Sequence, residues 1–82
     1  MSDDPVYLGQ EANRIMNDPR LVAAREAVEA RIVSDLKRIK PSREFDEQRQ
    51  ALCLKLQVIE DVWAQLQSVI TTGQIAAKRT GV

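Results

Sequence analysis

The fold is decided by the stretch Leu52-Cys53-Leu54-Lys55-Leu56-Gln57-Val58-Ile59-Glu60-Asp61-Val62-Trp63-Ala64-Gln65-Leu66-Gln67-Ser68-Val69-Ile70. Within it Leu52, Leu56, Ile59, Trp63, Leu66 and Ile70 recur in alternating steps of four and three, the spacing of a heptad seam along one face of a helix. Phe45 continues the phase upstream across Arg49, and Ala51, Val58, Val62 and Val69 form a second stripe beside it. Ser42 is the expected N-cap, and Glu44, Asp46 and Glu47 follow in the first turns, where the helix dipole favours acids. Gly73 is expected to stop the helix as a left-handed C′ residue. The spacing thus predicts a helix over about 43–72, roughly 45 Å long.

Working outward, Lys40-Pro41 separates this helix from a preceding one over about 19–39. Its stripe is Ala24, Val28, Ile32 and Leu36, with Leu21 and Ile39 extending it. Arg25 with Glu29 and Arg31 with Asp35 are expected i,i+4 pairs on its polar side. A turn of about three residues makes the two helices an antiparallel hairpin. Its expected core is Val28, Ile32, Leu36, Leu52, Leu56, Ile59 and Trp63. Two Asp-Pro pairs open the upstream helices, since Asp caps well and Pro suits the first helical position. Asp18-Pro19 starts the second helix. Asp4-Pro5 starts a short first one, over about 5–16, which Gly9 weakens and which folds back over one end. The fold class is therefore all-α, one helical domain over 1–82, with residues 1–4 and 79–82 expected to fray.

Composition narrows the function. A chain of 82 residues buries only about 60% of its unfolded surface, so its own core is marginal. One cysteine, Cys53, excludes an intrachain disulfide, and the lack of histidine argues against a structural zinc site. Helix packing and self-association are the remaining sources of stability. Twelve basic and twelve acidic residues balance to zero net charge, which counts against a dedicated nucleic-acid binder and does little to oppose protein association. No signal sequence or membrane span is expected, so synthesis in a reducing cytoplasm follows.

No catalytic, cofactor or metal site is expected. Glu60-Asp61 and Asp46-Glu47 are sequence neighbours, so on a helix their side chains point about 100° apart. Cys53 has no histidine to activate it and reads as a small half-buried residue beside the seam. Lys37, Arg38, Lys40 and Arg43 surround the hairpin turn and are the candidate phosphate contact, but acids lie among them and no aromatic interleaves. Trp63 is either core against helix 2 or, if partly exposed, an interface anchor.

The most informative feature is the absence of charge from Val62 to Ala77 in a chain that is 29% charged. Interface centres are depleted in charge in this way. Tyr7, Leu8, Val62, Leu66, Val69, Ile70 and Ile75 are accordingly the candidate partner surface. The alternative is that the first helix and the C-terminal segment cover this stretch.

The layout resembles short all-helical accessory and virion-associated proteins encoded by tailed bacteriophages and prophages. The residues that carry the resemblance are Asn17-Asp18-Pro19, the run Ala23-Ala24-Arg25-Glu26-Ala27-Val28-Glu29, Phe45-Asp46-Glu47-Gln48-Arg49, the Leu52/Leu56/Ile59 heptad and the close Leu66-Gln67-Ser68-Val69-Ile70-Thr71-Thr72-Gly73-Gln74-Ile75-Ala76-Ala77. It is one of pattern over about 11–78; where such proteins often carry an aromatic near the end of helix 2, this chain has Leu36 and Ile39. The resemblance implies a phage accessory or virion-associated protein without enzymatic activity; the expected location is the host cytoplasm at synthesis, with incorporation in the virion open. Three readings follow: a self-associating assembly protein working through helix contacts, a monomeric inhibitor or adaptor of a host protein, and a weak nucleic-acid contact through the basic turn.

Overall fold

A computed structural model describes residues 4–79, all of whose regular elements are helical. Helix α1 is Pro5–Met16, α2 is Pro19–Arg38 and α3 is Asp46–Arg79, with a 3-10 turn over Arg43–Phe45 leading into α3. The Asp-Pro pairs act as the sequence predicts. The Asp4 side chain accepts from the Val6 amide at 2.9 Å, and Asp18 accepts from the Arg20 amide at 2.8 Å, each using one of the amides that a helix start leaves unpaired. Asn17 ends α1 by donating from its backbone and its side-chain amide to the Asn13 carbonyl, at 3.2 and 2.8 Å. Ile39, expected as the last helical residue of α2, is already extended (ψ 128°) and leads into Lys40-Pro41.

Expectations about α3 and the chain ends are corrected. Gly73 does not terminate it: the helix runs on through Arg79, and Gly73 is buried in its interior. Ser42 makes no side-chain cap. The Arg49 guanidinium closes the turn instead, donating to the carbonyls of Lys40 (2.7 Å) and Ser42 (2.8 Å) and pairing with Asp46. Arg49, which the periodicity treats as a gap in the seam, is thus the residue that ties α2 to α3 at their junction. Of the ends expected to fray, 1–4 and 79–82, residues 1–3 and 80–82 lie outside the described residues, while Asp4 caps α1 and Arg79 belongs to α3.

At about 1.5 Å per residue a helix of this length spans about 50 Å, which accounts for most of the 57 Å long axis of a molecule only 23 × 18 Å across. The radius of gyration is 17.7 Å, against about 12 Å for a compact domain of this length. Both other helices pack on α3. α2 runs antiparallel to the first half of α3: Asp35 and Arg38 share a cleft with Phe45, Gln48 and Leu52, Val28 and Ile32 share one with Leu54, Val58 and Ile59, and Arg25 reaches Trp63. Of the two expected i,i+4 pairs on α2, Arg25–Glu29 closes at 3.2 Å and Arg31–Asp35 does not among the described residues.

The α1 contact is of a different kind. Pro5 and Leu8 lie beside Gln65, Val69 and Thr72, and Gly9 and Asn13 beside Ile70, Gly73 and Ala77. Gly9 and Gly73 meet backbone to backbone. A methyl added at Gly73 would lie 2.7 Å from the Pro5 carbonyl oxygen and 3.0 Å from the Gly9 Cα, closer than packed atoms tolerate. Gly9 therefore costs α1 some intrinsic helicity and returns it as close packing.

Candidate functional site

The buried apolar side chains of the described residues are Ala12, Ile32 and Ile70, one on each helix. Ile32 is the only member of the expected hairpin core that is buried; Val28, Leu36, Leu52, Leu56, Ile59 and Trp63 are half-buried. The seam faces α2 as its spacing requires, but α2 does not close over it. What remains is an open groove of about 550 Å³ lined by Val28 and Ile32 from α2 and by Ala51, Leu54, Lys55, Val58 and Ile59 from α3.

One rim of this groove is formed by Val58 of the second stripe of α3 together with Leu54. Leu54, Val58 and Val62 are 58%, 52% and 50% exposed. At 100° per residue, positions 51, 54, 58, 62, 65 and 69 fall within an arc of about 80°. This arc holds Ala51, Leu54, Val58, Val62, Gln65 and Val69 and no charge, with Lys55 on one edge and Asp61 on the other. Leu8, 39% exposed, lines a cleft with Val69, so α1 extends the strip toward the C-terminal end.

The expected partner surface is only partly assembled. Ile70 is buried, and Leu66 and Val69 are half-buried on the side of α3 that carries α1. The alternative is cover by the first helix and the C-terminal segment: α1 lies beside Val69 and Ile70, while the segment after Gly73 continues α3. Tyr7, Leu8, Val62 and Ile75 are exposed. Ile75 does not join the others: it follows Gly73 by two positions, which turns it about 160° away from the α1-facing side. Tyr7 donates its hydroxyl to Glu11 at 3.2 Å. Leu54 is the residue that sequence reasoning missed. It is out of phase with the seam, but its spacing of four from Val58 and eight from Val62 was the signal.

Trp63 is neither fully buried nor bare. The Arg25 guanidinium lies over its ring, 4.5 Å from the centroid, and donates to Glu29 at 3.2 Å, a cation–π contact that bridges α2 and α3. Cys53 is exposed, not half-buried as expected, because it projects away from the seam and from the apolar strip. Lys37, Arg38, Lys40 and Arg43 are all exposed; Arg38 and Lys40 share a cleft with Asp35, whose carboxylate offsets their charge. Among the described residues no group of three or more His, Cys, Asp or Glu side chains is placed to hold a metal ion, and no helix is long and apolar enough to cross a membrane.

Two carboxylates outside the groove are perturbed. Asp18 is held below the ordinary range by the Arg20 side chain, which donates at 3.0 and 3.2 Å, and then by the Arg20 amide. Glu11 is lowered by Arg14, which donates at 2.8 Å. Both belong to α1 and its junction with α2, and neither faces the apolar strip.

The fold and surface define an elongated all-α protein with an open apolar groove between two helices. No protein-family model matches the chain, and no curated protein or solved structure does either.

Proposed function

We propose that this is a non-enzymatic helical protein that acts through helix–helix protein contacts and self-associates, serving as a structural or assembly protein of a tailed phage. The observation that carries self-association is the surface left bare. The 9.3 kDa chain exposes 6534 Å², whereas a compact monomer of that mass exposes about 5,000 Å². Among the described residues only three apolar side chains, Ala12, Ile32 and Ile70, are buried, a thin core, and association is one of the few remaining sources of stability for so small a domain. The phage assignment rests on the sequence resemblance alone.

The test is the solution mass by light scattering on a sizing column across a hundredfold concentration range. A discrete oligomer is expected. A monomer at every concentration would sink the self-association reading. It would favour instead an adaptor or inhibitor that keeps the groove for a different protein, as the exposed Leu54 and Val58 also allow.

A further inference from the structure

We infer that the groove between α2 and α3 is the self-association interface, and that its occupant is the Leu54–Val58–Val62 ridge of a second copy. The inference rests on the self-association reading above and adds the surface and its geometry. Each copy carries both halves of the contact. The ridge has side chains at steps of four along one helix face, and its Leu54 and Val58 form one wall of the groove, which Ala51, Lys55 and Ile59 floor and Val28 and Ile32 of α2 close on the other side. Ridge into groove is how helices pack. Because ridge and groove belong to one patch of each chain, a two-fold axis through that patch sets each ridge in the other copy's groove at once and gives a discrete dimer with four long helices around a shared core.

Area and charge agree with a second copy as the occupant. The chain exposes roughly 1,500 Å² more than a compact monomer of its mass, while a standard interface takes about 800 Å² from each partner. One dimer contact therefore accounts for about half of the excess. The strip itself carries no charge, as the centre of an interface requires; Lys55, which lines the groove between Ala51 and Ile59, brings an apolar stem as well as its charge. A chain of zero net charge also meets no long-range repulsion from its own copy. Pairing would complete the half-buried seam, since Ile59 and Val28 line the groove that the second ridge fills.

The experiment compares the full-length protein with Leu54→Glu/Val58→Glu. Both positions are more than half exposed in the single chain, and Glu suits a helix at least as well as Val, so helicity by circular dichroism should hold. The wild type should be a dimer and the variant a monomer, with the dissociation constant raised by at least about a hundredfold, a difference of about 2.8 kcal/mol. Ile75→Gln, on a different face, should stay dimeric. A wild-type monomer would overturn the self-association reading itself. A wild-type dimer that survives both glutamates would leave that reading standing and overturn the groove. If the variant loses helicity, thiol labelling decides. Val58→Cys in a Cys53→Ser background should react at least about tenfold more slowly than native Cys53, which faces away from the strip, because only the dissociated chain exposes position 58. Equal rates would overturn the proposal.

Discussion

Helix α3 makes two contacts, and the one built from the smaller side chains is the closed one. Against α1, glycine meets glycine, Ala12 and Ile70 are buried, and the backbones touch. Against α2, a seam of Leu, Ile and Trp faces Val28, Ile32 and Leu36, yet only Ile32 is buried and a groove stays open. Large side chains hold two helix axes apart, and the space between is filled only if a further layer arrives. Small residues let the axes approach until nothing further fits. The α1 contact thus leaves only clefts of about 230 and 240 Å³ along its edges, whereas the α2 contact leaves an open groove of about 550 Å³.

The sharpest way to break this comparison is to thicken the closed contact. Gly73→Ala places a methyl 2.7 Å from the Pro5 carbonyl and 3.0 Å from the Gly9 Cα, both backbone atoms that cannot rotate away. Overpacking of this kind costs about 1–3 kcal/mol, partly offset by the roughly 1 kcal/mol that alanine adds to α3 as a helix former. A net loss of stability in urea unfolding is expected, with amide protection falling first in α1. A more stable protein would mean that α1 does not dock as described. The same change at Gly9, where the nearest atoms are 3.1 and 3.2 Å away, should cost less.

The other contact can be sharpened through Arg49. Arg49→Ala removes the two hydrogen bonds to the Lys40 and Ser42 carbonyls and the pairing with Asp46. The side chain is partly exposed, so a loss of about 1 kcal/mol is expected. The loss should appear as faster amide exchange at 39–46, with α1 unaffected. Unchanged exchange there would mean that the short connection alone holds the hairpin together.

These two residues also mark where the sequence stopped being legible. The helices, and the starts of α1 and α2, could be read because capping and periodicity are local: an Asp before a Pro, or a leucine every third or fourth position, needs no knowledge of the rest of the chain. Gly73 could not be read that way. A glycine after an apolar run is the ordinary mark of a helix end, and only the arrival of Gly9, sixty-four positions away, makes it an interior packing residue. Arg49 reads locally as an interruption because its partners are carbonyls, which every residue has. The groove was half legible. The uncharged run pointed to a bare surface, but periodicity alone could not say that α1 would cover Ile70 while Leu54 and Val58 stayed exposed.

The smallest effect expected is one of pH, and it separates the two contacts without a mutation. Asp18 caps α2 and holds Arg20, and Glu11 holds Arg14 within α1; both carboxylates titrate below their ordinary values because of these partners. A carboxylate whose folded pKa is depressed contributes stability that is present above its unfolded value, near about 4, and is lost as pH falls through the folded value. Both groups lie on α1 or its junction with α2, and both are solvent-screened, so the contribution is small and local. Acidification from about pH 6 to below about 3 should therefore loosen amides at 5–22 before those at 50–65, as hydrogen exchange would read directly. The Asp18 cap makes the order specific. Once protonated, its side chain accepts poorly from the Arg20 amide and guanidinium, so α2 should fray from Pro19 while its far end stays tied by Arg49. If protection fell first at 39–46, the acid-sensitive element would be the Arg49–Asp46 turn, and the contrast between a charge-held junction and an apolar hairpin would have to be reversed.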